Sequence, residues 1–200
     1  LNGRRVIDWS IAAFRSHPKV EQIIIVTGSD APSDFAPEGC ICVAGGATRT
    51  LSVRNGLAAI PDPDNSTIVL IHDAARPGLT HATLDALLEA LTTHAAAAPA
   101  LPVQDALKRQ GDRTLETVSR DALFRVQTPQ AFRYGAITMA LAEAGDDLVD
   151  DLAAVEAQGI EVKLVRGTDR LHKITYPEDF DMVSRMMTPR LAFPRIGKGF

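Results

Sequence analysis

The chain has 200 residues, 46% hydrophobic and 23% charged, with 21 Lys and Arg against 25 Asp and Glu for a formal net charge of -4. That is enough for one well-filled core and a single domain, and the acidic balance excludes the broad basic field on which nucleic-acid binding rests, so any phosphate-binding charge has to be local. Apolar runs stay well short of the ~18 residues of a membrane span, and Leu1-Asn2-Gly3-Arg4-Arg5 has no apolar stretch of the signal-peptide kind, so a soluble, cytoplasmic protein without a membrane partner is expected.

Apolar, branched-rich runs at Gln22 to Val26, Ile41 to Ala44, Thr67 to His72, Ala97 to Val103 and Ile160 to Val165 read as strands. Most are separated by stretches of helical periodicity, the alternation of an α/β domain. The first run, Ile23-Ile24-Ile25-Val26, is apolar without alternation, as in a strand covered on both faces. In the second, Cys40 and Cys42 share one face of a strand. With no further cysteine to complete a zinc site, they read as buried, reduced thiols.

Next comes Gly45-Gly46-Ala47-Thr48-Arg49-Thr50-Leu51-Ser52, a diglycine directly between strand and helix. Unpaired backbone amides at such a junction can cradle a phosphate or admit a nucleobase, although an ordinary tight turn is the commoner use. The run Ile68-Val69-Leu70-Ile71 leads into His72-Asp73-Ala74-Ala75-Arg76-Pro77. Ligands of open α/β sheets sit at the carboxyl ends of strands, which makes Asp73 and Arg76 candidates. The carboxylate can face a metal-bound phosphate and the guanidinium offers a planar fork to an anion, unless the two simply pair with each other. Thr80 then caps a helix carrying Leu84, Leu87, Leu88 and Leu91 as its core stripe.

Ala106 to Val118 breaks the pattern, with two short strand-like pieces around Gln110-Gly111-Asp112-Arg113, the chemistry of a tight hairpin. A hairpin inserted into such a sheet has few local partners, so an arm on a second subunit is favoured over one folded on its own domain. Arg120, Thr128 and Lys173 are of interest only in combination, because isolated cations are commonly surface residues. Tyr134 to Ala144 stops at Gly145 and Asp151 to Gln158 stops at Gly159. Thr175-Tyr176-Pro177-Glu178 reads as a capping box opening a last helix through Phe180, Val183 and Met187. His17, His72, His81, His94 and His172 show no zinc spacing.

Taken together, Gly45-Gly46 with Arg49, Ser52-Val53 and Gly56-Leu57, the string His72-Asp73-Ala74-Ala75-Arg76-Pro77, Arg120 with Leu123 leading to Thr128-Pro129-Gln130, and Lys173-Ile174-Thr175 with Pro177-Glu178-Asp179 resemble the 2-C-methyl-D-erythritol 4-phosphate cytidylyltransferases over nearly the whole chain. The resemblance implies a doubly wound, mostly parallel Rossmann-like nucleotidyltransferase sheet with the hairpin, about 106–118, as a dimerisation arm that helps complete the partner's pocket. It implies nucleotide contacts at Gly45, Gly46, Ser52 and Ala74, and substrate contacts at Asp73, Arg76 and Thr128. Arg120 and Lys173 become the catalytic cations. The partners are CTP and a sugar-alcohol phosphate, with Mg2+ or another divalent cation carried on CTP, no direct metal ligand, and Asp73 reaching the ion through water. Ribitol 5-phosphate cytidylyltransferases are near relatives, so a ribitol or other polyol phosphate is the alternative acceptor; a non-catalytic dimerisation scaffold and a phospho-acceptor receiver are readings of another class.

The chemistry suits that inventory. A phosphate monoester, with a second pKa of about 6, is already largely dianionic at neutral pH and needs no general base. Repulsion from CTP is the barrier, and fixed cations answer it. Three departures qualify the resemblance. Family members open with a strand and a glycine-rich triphosphate loop that this sequence starts after, so the chain as given is expected to be inactive. Ala106 and Val149 stand where relatives often have Thr, each removing a hydrogen bond of about 1 kcal/mol. Finally, Pro194-Arg195-Ile196-Gly197-Lys198-Gly199-Phe200 resembles the opening strand of a 2-C-methyl-D-erythritol 2,4-cyclodiphosphate synthase. The expected layout is a cytidylyltransferase domain at 1–187, a linker at 188–194 and the start of a fused synthase at 195–200. A zinc-type site would belong to the fused domain, which could also build a larger assembly.

Overall fold

In the computed structural model, which describes residues 1–28, 31 and 35–187, the chain opens with helix α1 (Val6–Arg15) and strands β1 (Ile23–Thr27) and β2 (Cys40–Ala44). Helix α2 (Arg49–Ala58), β3 (Ile68–Ile71), α3 (His81–Ala90) and β4 (Ala96–Pro102) follow. Then come β5 (Leu107–Gln110), β6 (Leu115–Val118), β7 (Phe124–Val126) and β8 (Gln130–Arg133). The chain continues through α4 (Tyr134–Glu143), α5 (Asp151–Ala157), β9 (Val162–Arg166), a 3-10 turn at Asp169–Leu171, and α6 (Asp179–Met187). The expected linker at 188–194 and synthase-like opening at 195–200 lie outside the described residues.

Successive side chains of β4 serve opposite faces of its sheet, and this is how the apolar runs organise the core. Ala96 and Ala98 join Phe132, Ile137, Leu141, Leu152 and Val155 in a cluster under α2, α4 and α5, whereas Ala97 joins Ala131, Leu87 and Leu91 under α3. Leu70 also meets Leu79, Leu84 and Leu171, with Ala13 and Phe14 of α1 packed beside them. Helices thus cover both faces. The small side chains of β4, which disfavour an isolated strand, permit close helix approach. Thr80 accepts the Thr83 amide and caps α3, as expected.

Three expectations about the fold need correction. The sheet is mixed rather than mostly parallel: β3 and β4 both pair antiparallel to β8 and β4 pairs antiparallel to β7, leaving β1·β2 and β4·β9 as the parallel ladders. The strands responsible, β7 and β8, are too short and too polar at their ends to announce themselves by periodicity. Cys42 is exposed and Cys40 only partly covered, because among the described residues β2 is paired on one side alone. The capping box at Thr175 does not form; Asp179 instead reaches back to accept the Thr175 and Tyr176 amides, both at 2.8 Å, and the helix begins at Asp179.

One irregularity shapes the site. Between the pairs Ala97↔Ala131 and Ala100↔Val126, β4 contributes residues 98 and 99 while the opposing chain contributes 127–130. This wide bulge bends the chain from the Pro102 end of β4 toward β3. Gln127 anchors it, its amide donating to Pro99 O at 2.8 Å and its side chain exchanging hydrogen bonds with the Thr168 backbone. The Thr128–Pro129 bond is cis. Thr128 lies at the carboxyl end of β3, where the Asp73 amide donates to its Oγ1 at 3.0 Å. The expected hairpin is present, with Leu107↔Val118 to Gln110↔Leu115 in register, and among the described residues β5 and β6 pair only with each other.

Candidate functional site

Asp73 stands just past β3, in a turn closed by the Arg76 amide donating to its carbonyl at 2.9 Å. Three cations converge on its carboxylate: Lys173 Nζ at 3.1 Å and Arg76 Nε at 3.5 Å on Oδ2, and Arg49 Nη2 at 4.0 Å from Oδ1. Burial pushes the Asp73 carboxyl up, but Lys173, then Arg76 and Arg49, outweigh it and hold the group below its ordinary range.

Arg49 has a second partner. Its Nη1 and Nη2 donate to the two carboxylate oxygens of Asp151 at 2.9 and 2.7 Å, a bidentate pair with Asp151 only 1% exposed. Burial raises the Asp151 carboxyl while Arg49 opposes it, and Arg49, despite its own desolvation, is more firmly protonated for facing Asp151. Arg49 donates to both carboxylate oxygens, which a carboxylate without its proton accepts, and this geometry makes the pair ionised. Asp150 caps α5 through the Ala153 amide at 3.0 Å, and Gln130 accepts the Asp151 amide at 3.2 Å, so the anion has a rigid seat. Arg49, Arg76 and Lys173 thus set three cations around Asp73, with Asp151 and Asp150 as the further carboxylates acting on Arg49, in a protein that is acidic overall.

Each cation is held by its own element. Arg76 Nη1 donates to Leu171 O at 2.8 Å, while its buried Nε has no hydrogen-bond partner. Burial lowers the Arg76 pKa, with Asp73 opposing. The segment bearing Lys173 is pinned by the Ile174 amide on Ala75 O at 2.9 Å and by Asp179, which also meets His172 Nε2 at 3.1 Å. Arg49 occupies the first turn of α2, after a turn that only glycine permits: a Cβ on Gly46 would overlap Leu51, and one on Gly45 would lie 2.9 Å from Ser52 Oγ and 3.0 Å from Thr27 O.

The expectation of unpaired amides in that turn is corrected. Gly45 N donates to Thr27 O at 2.8 Å and Gly46 N to Ser52 Oγ at 3.0 Å, while Ser52 Oγ also lies 2.9 Å from Thr48 O. The strand-to-helix connection is so tight that these groups satisfy each other. The turn is therefore closed on itself, and Arg49, just after it, reaches Asp73.

Of the expected site residues, Asp73, Arg76, Thr128 and Lys173 come together, while Gly45, Gly46 and Ser52 belong to the turn that leads into Arg49 and Ala74 follows Asp73 in the chain. Arg120 does not join them: it is exposed at the foot of the hairpin and donates to Gln104 O. Ala106 and Val149 are exposed, Val149 at 94%. Arg49, Asp151, Gln130 and His72 are parts of the site not assigned roles from sequence. Arg49 did leave a signal, since a cation in the first turn of a helix opposes the helix dipole and calls for a compensating anion.

No three His, Cys, Asp or Glu side chains gather as a metal cage among the described residues. Nor is any described helix long and apolar enough to cross a membrane.

Residues 1–189 match the sequence model of the family described as 2-C-methyl-D-erythritol 4-phosphate cytidylyltransferase. The chain is 52% identical over 202 residues to the bifunctional enzyme IspD/IspF of Hyphomonas neptunium, covering 100% of this chain and 53% of that protein. It is 42% identical over 194 residues to the 2-C-methyl-D-erythritol 4-phosphate cytidylyltransferase of Cereibacter sphaeroides, covering 94% and 86%. The crystal structure of the 2-C-methyl-D-erythritol 4-phosphate cytidylyltransferase of Thermus thermophilus matches with a TM-score of 0.80 and 34% identity over 92% of this chain and 89% of that one. The chain spans about half the length of the bifunctional relatives it matches.

Proposed function

The chain belongs to the 2-C-methyl-D-erythritol 4-phosphate cytidylyltransferase family, and from that premise we propose that its domain transfers CMP from CTP to 2-C-methyl-D-erythritol 4-phosphate. A phosphate oxygen of the acceptor forms a bond to the α-phosphorus of CTP as the bond to the β-phosphate oxygen breaks, and pyrophosphate leaves. The observation that carries this reading is the cup of three fixed cations, Arg49, Arg76 and Lys173, around Asp73 at the carboxyl end of β3. It supplies fixed cations without a general base, which is what two colliding phosphate anions require.

Lys173 and Arg76 screen the incoming phosphate, Asp73 orients the acceptor, and Thr128 shapes its wall. Gly45, Gly46, Ser52 and Ala74 form the rim on which the cytidine lies. The exposure of Arg120, and its bond to Gln104 O at the foot of the hairpin, support a role across a homodimer, where the 106–118 arm carries it to the partner's acceptor.

A divalent cation fits this donor set only as a passenger of the triphosphate, because Asp73 is the partly exposed carboxylate within the cup, 19% exposed, and no cage surrounds it among the described residues. When bound, such an ion neutralises phosphate charge; Asp73 would hold it through water. CTP as substrate supports a cytoplasmic location, and the bifunctional relatives support a synthase domain in the natural protein.

The test is pyrophosphate release by the full natural protein with magnesium and CTP, offering 2-C-methyl-D-erythritol 4-phosphate and ribitol 5-phosphate separately. Release is expected with the first, and to fall by about 100-fold or more in Lys173→Met, as for loss of a group that stabilises transition-state charge. Preference for ribitol phosphate would overturn the acceptor, and silence with both would leave a scaffold.

A further inference from the structure

His72 is absorbed by neither the charge network nor the proposed chemistry, yet it joins three parts of the fold. Its Nδ1 lies 3.1 Å from Thr128 Oγ1, its Nε2 lies 3.1 Å from Arg76 O and 3.3 Å from Ser10 Oγ in α1, and its ring meets Phe14 edge-on at 5.5 Å. The hydrogens follow by elimination. A carbonyl only accepts, so the Arg76 contact requires hydrogen on Nε2. Thr128 Oγ1 already accepts the Asp73 amide, so its single hydrogen points to the lone pair of Nδ1. Thr128 is 5% exposed, and both of these bonds are internal. Burial pulls the His72 pKa down to about 4, consistent with a neutral ring.

We infer that His72 is a positioning residue for the acceptor site: as the Nε2–H tautomer it orients the Thr128 hydroxyl, which holds the Asp73 main chain and so sets the Asp73 carboxylate against Lys173 and Arg76. The inference rests on the reading of the Asp73 cup as the acceptor site. The network also ties the bulge between β7 and β8 to the end of β3, so two loops distant in sequence share one geometry.

The test uses the full natural protein in two arms. In the first, steady-state pyrophosphate release is measured for wild type, His72→Phe, His72→Asn, Thr128→Val and the His72→Phe/Thr128→Val double variant. His72→Phe should raise KM for the acceptor about tenfold, the scale of one lost buried hydrogen bond, with KM for CTP nearly unchanged. His72→Asn, whose amide oxygen can take the place of Nδ1, should recover most of that loss, and the double variant should be no worse than the worse single one. Equal rises in both KM values, no recovery in His72→Asn, or additive losses would overturn the inference.

The second arm does not depend on turnover: nitrogen-15 NMR of the histidine ring should show Nε2 protonated and Nδ1 bare, and His72→Phe should speed hydrogen exchange at the Asp73 amide. The opposite tautomer or unchanged exchange would overturn the positioning itself. If wild type releases no pyrophosphate while both NMR results hold, the functional reading falls and the geometry stands.

Discussion

The two terminal guanidinium nitrogens of Arg49 meet the two carboxylate oxygens of Asp151, one each, at 2.9 and 2.7 Å, where Asp151 is 1% exposed. Removing one partner strands the other. Arg49→Gln should destabilise the fold by about 3 kcal/mol, the low end for a broken buried pair because Arg49 is itself partly exposed. The Arg49→Gln/Asp151→Asn double variant should cost less than Arg49→Gln, since no buried charge is then left unpaired. Urea denaturation midpoints check both values, and a double variant worse than the single one would count against an ionised pair.

At Gly46 the constraint is steric, since its φ is not in the left-handed region and an added Cβ would overlap the Leu51 side chain. Gly46→Ala should cost about 1–3 kcal/mol, the range for overpacking. It should also move the start of α2, so that KM for CTP rises more than KM for the acceptor. Parallel denaturation and steady-state measurements would reveal a stability loss without that kinetic bias, which would separate the turn from the nucleotide site.

Leu115 at 68%, Phe124 at 48% and Leu123 at 38% exposure give the hairpin and its flank an apolar surface. If the arm docks on a second copy, Leu115→Asp should shift sedimentation from dimer toward monomer while leaving the circular dichroism spectrum intact. Turnover should fall in step with the dimer fraction, and a monomeric variant of full activity would remove Arg120 from any role in trans.

Stability should respond to acid in two windows. Below pH 6.5 the unfolded chain protonates His72, whereas the folded chain resists until about 4. The unfolded state therefore binds more protons in that window, and stability falls as pH falls. Ser10, Thr128, Arg76 and the neighbouring Asp73 face the ring. Asp73 and Asp179, held below their ordinary values, contribute stability that is lost in more acid solution, as pH drops through their folded values. His72→Asn should flatten the upper window in a series of denaturation midpoints and leave the lower one in place.

Strand β3 was legible because Val69, Leu70 and Ile71 are apolar on both faces and pack into the core clusters on both sides, whereas the same pattern in Ile23–Val26 leaves Val26 exposed at 36%. The segments β7 and β8 were not, since Phe124-Arg125-Val126 is brief and charged and Gln130 is a polar residue buried only because Asp150 and Asp151 meet it. Asp73, Arg76 and Lys173 could be nominated from strand ends and motif strings. The Arg49–Asp151 pair could not be nominated from spacing alone, because helix dipoles say that a partner is needed without saying where it lies. Cys42 misled for a related reason: an apolar strand pattern does not show that a strand sits at an edge.

The bulge opposite Ala98 and Pro99 makes chain length there matter more than side-chain choice. Deleting one residue between Val126 and Gln130 would either pull Thr128 away from Asp73 or slip β8 by one position against β3, and a one-position slip exchanges the faces of a strand. Phe132 would then be driven toward the helix that Ala131 now touches, where Leu87 and Leu91 leave room for a methyl group and not for a ring. The interior and the ligand rim would fail together, so a single-codon deletion at this spot should be a graver lesion than any one substitution in the cup it supports.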